Sequence, residues 1–121
     1  MLAGACARAA GGYHATPPER ATLRAELEAM LRRAAVDWNR GDLDGFMSDY
    51  LPGDSTTYIG GRGLVRGPTA IRGSYARLFT GEIQRDSLSF VILDVDPVAP
   101  DAANLIAQYI LTRRTGGRWR S

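Results

Sequence analysis

Lysine is missing from this chain of 121 residues: its fifteen cationic side chains are all arginine, against thirteen acidic residues, for a formal charge of +2. The arginines are scattered, which reads as the compositional bias of a GC-rich coding sequence. A nucleic-acid surface needs a basic stripe or a readable motif. The only doublets, Arg32-Arg33 and Arg113-Arg114, adjoin apolar core candidates and read as solvated faces. No nucleic-acid partner is expected. Cysteine is nearly absent too. A lone Cys6 excludes an intramolecular disulfide and has no orienting base to make it a nucleophile. His14 is the single histidine, which excludes a Ser-His-Asp triad and a multi-histidine metal site. Asp94 and Asp96 alternate along a strand but run into Pro97, so solvation at a strand end explains them more simply than a divalent ion. Neither a metal nor a cofactor is expected. No run approaches the roughly 20 apolar residues of a membrane-spanning helix, so no transmembrane segment is expected.

What is present suits one globular domain, since 45% of the residues are hydrophobic and the length falls in the single-domain range. Residues 1–15 are rich in Ala and Gly without periodicity and are expected to form a flexible leader or signal remnant. Residues 16–121 are expected to form the domain. Ala3-Gly4-Ala5-Cys6 looks like the end of a lipoprotein signal, yet neither a basic start nor an apolar run of about 7–15 residues precedes it. The cellular address stays open between the cytoplasm and, if a signal lies upstream, a periplasmic lipoprotein.

Thr16-Pro17-Pro18-Glu19 has capping-box spacing with proline at the first helical position, so a helix is expected to start there or, for its main part, near Thr22. Leu23, Leu27, Met30, Leu31, Ala34 and Trp38 then recur at three- and four-residue steps on one face. Gly41 is expected to end that helix, and Asp42 to cap a second over Leu43 to Tyr50 that turns Phe46, Met47 and Tyr50 inward. Ser55 to Ile59 and Leu64 to Arg66 form a hairpin around Gly60-Gly61-Arg62-Gly63. That glycine run joins strands and lacks the strand-turn-helix context of a nucleotide loop. Gly67-Pro68 starts a third helix with Ile71, Tyr75, Leu78 and Phe79 on its apolar face. Arg66 just before it reads as a solvated loop residue, the alternative being a small carboxylate held at the helix amides. Leu88 to Val95 is a strand with both faces apolar; Pro97 to Asp101 is a turn, and Asn104 to Thr112 returns as a strand. Thr115-Gly116-Gly117 turns again into Arg118-Trp119-Arg120.

The elbow Trp38-Asn39-Arg40-Gly41-Asp42-Leu43-Asp44-Gly45-Phe46-Met47, the strand ending Tyr58-Ile59-Gly60-Gly61 and the helix opened by Gly67-Pro68 come in an order that resembles the nuclear-transport-factor-2-like superfamily, specifically its SnoaL-like and ketosteroid-isomerase-like bacterial proteins. The resemblance implies an α+β fold: a cone-shaped, curved mixed or antiparallel sheet covered by three helices from the N-terminal half. It also implies two further long strands, so the chain reads as incomplete at its C-terminus.

Carried over by position, Trp38, Phe46, Tyr50, Tyr58, Ile71 and Tyr75 are expected to border a pocket, although aromatic residues at helical spacing are more often plain core. Relatives with isomerase-, cyclase- or dehydratase-like activity use an acidic base and hydroxyl donors, because an apolar cavity raises a carboxylate's pKa and a tyrosine hydroxyl stabilises a developing oxyanion. Asp49 or Asp54 is the candidate base and Tyr50 or Tyr58 the hydroxyl donor, with Tyr75 and Tyr109 as further hydroxyls. A surface carboxylate at Asp49 and a turn cap at Asp54 are the plainer readings. The expected partner is a small apolar or carbonyl-containing molecule held in the pocket, with its transformation by cofactor-independent proton transfer left open, and the domain is also expected to form a homodimer through the sheet. The alternatives are a non-catalytic ligand carrier and an association module that forms a homodimer through the outward sheet face.

Overall fold

Proline and threonine set where the first helix starts. In a computed structural model, which describes residues 12–115 and 118–120, helix α1 runs Pro17–Asn39. Its start is a reciprocal cap: the Thr16 amide donates to Glu19 Oε2 at 2.8 Å, and the Glu19 amide donates to Thr16 Oγ1 at 3.3 Å. No second start occurs near Thr22. The expected leader lies outside the described residues through residue 11, Cys6 with it; residues 12–16 have no regular structure and His14 is exposed.

Gly41, at φ 81°, lets the chain leave α1 in a conformation that costs other residues strain. Asp42 then caps α2, Leu43–Met47, by accepting from the Gly45 amide at 2.9 Å. This helix stops short of the expected Tyr50. The Ser48 hydroxyl and amide both donate to the Gly45 carbonyl, at 2.6 and 3.1 Å, tightening the chain into a turn. Strands β1, Thr57–Gly60, and β2, Gly63–Arg66, form the expected antiparallel hairpin, with Tyr58 opposite Val65. Helix α3, Pro68–Ala76, continues as a 3₁₀ turn over Arg77–Phe79.

A second sheet has the order β3-β4-β5, with β3 at Ser87–Ala99, β4 at Ala102–Thr115 and β5 at Arg118–Arg120. Here the turn expected over Pro97 to Asp101 is corrected: only Pro100 and Asp101 turn, and Pro97 is a buried residue within β3. Because β3 is an edge strand, its proline can sit where no ladder donor is needed. Alternation along β3 is as expected of a strand, with Leu88 buried and Phe90 and Ile92 half-buried, while Val91 and Leu93 are exposed.

Internal contacts divide the chain into two units, one running up to Ala29 and including Val91–Gln108, the other comprising Met30–Phe90 with the residues from Tyr109 onward. In the first, Arg24 reaches the Ile92 carbonyl at 3.5 Å and pairs with Glu28 one turn on. The second holds the buried apolar core of Ala34, Trp38, Phe46, Met47, Ile71 and Leu88. Among the described residues no helix is long and apolar enough to cross a membrane.

Candidate functional site

Within the second unit the last turn of α1 sets Trp38 at the centre of an aromatic cluster. Its ring lies edge-on to Phe46 and Phe79 at 5.1 Å each and to Tyr75 at 5.9 Å; Tyr75 in turn meets Phe46 at 5.2 Å and Tyr58 at 5.7 Å. Edge-to-face pairs of this kind contribute about 0.5–1.5 kcal/mol each beyond the area they bury. Polar ties fix the cluster to the backbone. The Trp38 indole donates to the Asp86 carbonyl at 2.8 Å, and Arg85 donates from Nε to the Trp38 carbonyl at 2.9 Å and from its terminal nitrogen to the Leu78 carbonyl at 3.2 Å. The same guanidinium lies 4.4 Å over the Phe79 ring.

Asn39 completes the frame by imitating a neighbouring strand. Its amide nitrogen donates to the Leu88 carbonyl at 3.0 Å, and its oxygen accepts from the Leu88 amide at 2.7 Å. Both backbone groups of Leu88 are thereby satisfied where β3 begins.

Against this frame lies a cavity of about 320 Å³, walled by Trp38, Phe46, Tyr58, Tyr75 and Leu78 from the helices, the 3₁₀ turn and the first hairpin, by Tyr50 just after α2, and by Leu88, Phe90, Tyr109 and Leu111 from the second sheet. Two of its lining residues, Tyr109 and Leu111, are 67% and 38% exposed. Its size falls in the range of small-molecule sites. Tyr75 holds its proton well above the ordinary phenol range, first because burial penalises the phenolate, then because of the neighbouring Tyr50 and Tyr58 hydroxyls. The cavity thus combines tyrosine side chains with an otherwise apolar wall.

Of the residues expected to border a pocket, Trp38, Phe46, Tyr50, Tyr58 and Tyr75 come together here, whereas Ile71 is placed in the core with 0% exposure and does not line the cavity. The candidate bases are placed elsewhere. Asp49 lines a neighbouring hollow of about 260 Å³ beside Phe46, Tyr50 and Phe90, where its carboxylate is paired with Arg33. That pairing holds the Arg33 guanidinium above its usual range. Asp54 sits in the exposed turn before β1, near Gly67, and lines neither space.

Leu88, Phe90 and Leu111 are lining residues that the sequence marked only as strand interior. Alternation was the available signal, since Leu88 and Phe90 share one side of β3. Asp37 went unnoticed altogether: it is a 4% exposed carboxylate in α1, paired with Arg40 at 3.0 Å. Among the described residues no group of three or more His, Cys, Asp or Glu side chains is arranged to hold a metal ion.

No family model matches the chain, and no curated protein matches it. Among solved structures it is similar to an NTF-2-like protein of unknown function from Shewanella oneidensis MR-1, at 17% identity and a TM-score of 0.57, over 80% of this chain and 92% of that one. Helices followed by antiparallel strands, matched at that level, define an α+β protein with the NTF-2-like fold. At such identity the likeness speaks for the fold and is silent on chemistry.

Proposed function

We propose that this protein binds a small, largely apolar molecule in the aromatic cavity and orients it through a carbonyl or similar acceptor placed against the tyrosine hydroxyls, in the manner of a SnoaL-like ligand-binding protein. The observation that carries this reading is the convergence of Tyr50, Tyr58 and Tyr75 on a space otherwise lined by aromatic and aliphatic side chains. Apolar walls supply affinity without direction; a few placed hydroxyls supply the direction. Binding is favoured over proton transfer because among the described residues no carboxylate lines this cavity and the Asp49 carboxylate is held by Arg33. Catalysis with Asp49 as base would require that pair to open, and Asp54 would need to reach in from its turn.

The test uses ketones of one and two rings, from cyclohexanone to 2-acetylnaphthalene, with binding read from Trp38 fluorescence in a Trp119→Phe background. Saturable quenching is expected, weakened about three- to tenfold in Tyr58→Phe or Tyr75→Phe, the cost of one neutral hydrogen bond. Asp49→Asn should leave affinity unchanged. Quenching that never saturates, or that ignores both phenylalanine variants, rules the reading out.

A second reading rests on a separate observation in the first unit: Val91, Leu93 and Ile106 are 47%, 60% and 56% exposed on their strands. A second copy of the chain covering such side chains would make a homodimer through the sheet. Sedimentation velocity checks it, with Leu93→Lys expected to shift a dimer toward monomer.

A further inference from the structure

The glycine-rich hairpin that failed as a nucleotide loop by its sequence context borders a second hollow, of about 310 Å³, between the β1-β2 turn and α3. Its lining contrasts with that of the aromatic cavity. Arg62 in the turn and Arg77 at the end of α3 bring two positive charges, Ser74 brings a hydroxyl, and among the described residues no acidic side chain lines the space. Among the described residues neither Arg62 nor Arg77 is in an ion pair, whereas Arg24, Arg33, Arg40, Arg72 and Arg113 each have a carboxylate partner.

Glycine makes the hollow possible. A Cβ added at Gly61, Gly63 or Gly73 would meet nothing within 4 Å, so open space lies directly beside those backbones and a ligand can approach them closely. Gly63 in addition takes φ 103°, which a side chain rarely adopts. Gly60 is different. A Cβ there would come within 2.6 Å of the Tyr58 ring, so the ring packs directly on that glycine; Tyr58 and Leu78 line both this hollow and the aromatic cavity.

We infer that this hollow is an oxyanion site, in which Arg62 and Arg77 bind the phosphate or carboxylate group of a small molecule. Two arginines that border one space with glycine walls, and that have no carboxylate partner among the described residues, offer forked donors that match either oxyanion. Ser74 adds a third contact, since its hydroxyl is engaged only by a long 3.3 Å bond to the Ala70 carbonyl and can turn toward an anion. The proposal does not depend on what the aromatic cavity holds.

The experiment is an amide NMR titration of the full chain with sodium phosphate and, separately, sodium acetate, at ionic strength fixed with sodium chloride. Saturating shifts confined to Gly60–Gly63 and Gly73–Leu78 are expected, and the tighter of the two anions names the ligand class. Arg62→Gln and Arg77→Gln should each weaken binding about tenfold or more, as loss of a charge-assisted bond requires. Gly73→Glu should abolish binding by supplying an internal carboxylate, with the melting temperature retained because glutamate suits a helix better than glycine. Arg32→Gln, at a distant exposed site, should change nothing. Shifts that stay linear for both anions, or saturable binding that survives Arg62→Gln and Arg77→Gln, or an equal loss in Arg32→Gln, would overturn the proposal.

Discussion

The two halves of helix α1 have similar apolar spacing and very different surroundings. From Pro17 to Ala29 no residue is buried, and Leu23 and Leu27 are half-buried at most; from Met30 to Asn39 the helix buries Ala34, Asp37 and Trp38. In the first unit Pro97 is the one buried residue among those described, whereas the second unit gathers an aromatic cluster tied to backbone carbonyls by Trp38 and Arg85. An apolar stripe is therefore only an offer of burial. It stabilises where partners of matching shape enclose it, and the stability of the molecule should be concentrated accordingly.

Trp38→Ala puts the most at risk. Loss of a buried aromatic that also satisfies the Asp86 carbonyl should cost about 3–5 kcal/mol in urea unfolding, enough to threaten the folded state. Gly45→Ala should follow, at about 1–3 kcal/mol, because the new Cβ would lie 2.7 Å from the carboxylates of Asp37 and Asp42 and the elbow must shift. Leu27→Ala, in the other half of the helix, should cost no more than about 1 kcal/mol. A loss there equal to that of Trp38→Ala would abolish the contrast between the halves.

The smallest effect is one of pH. Tyr75 keeps its proton above the ordinary phenol value of 10.0 in the folded chain, chiefly through burial, and ionises at that value when unfolded. The raised group contributes stability that is fully present below pH 10.0 and is lost as pH rises beyond it. Urea midpoints between about pH 8 and about pH 11 should fall at the alkaline end, and fall less in Tyr75→Phe. An equal alkaline slope in the variant would mean that Tyr75 is not shielded as the cavity geometry requires.

Much of the architecture was legible because short-range rules governed it. Thr16 to Glu19 announced a capped start, Gly41-Asp42 an elbow, and Gly60 to Gly63 a hairpin; each depends on dihedral limits and hydrogen bonds among residues a few positions apart. The misreadings came where a distant neighbour decides. Pro97 signals a turn by its own chemistry, yet an edge strand accepts it, and edge position is a property of the sheet. Asn39 carried no local signal for its role, which is to bind both backbone groups of Leu88, 49 positions away.

The site divides in the same way. The family resemblance proposed Trp38, Phe46, Ile71 and Tyr75 as lining, but helical spacing cannot separate a side chain facing a cavity from one sunk in the core, which is where Ile71 lies. Nor could it show that Asp49 is engaged by Arg33, sixteen residues earlier. Order of elements, caps, turns and apolar faces were determined by the sequence itself, because local sterics and hydrogen bonding suffice for them. Which faces are enclosed, which carboxylates are paired and which arginines are left facing an open hollow were decided only by tertiary structure, because burial and pairing depend on groups that the chain brings together from far apart.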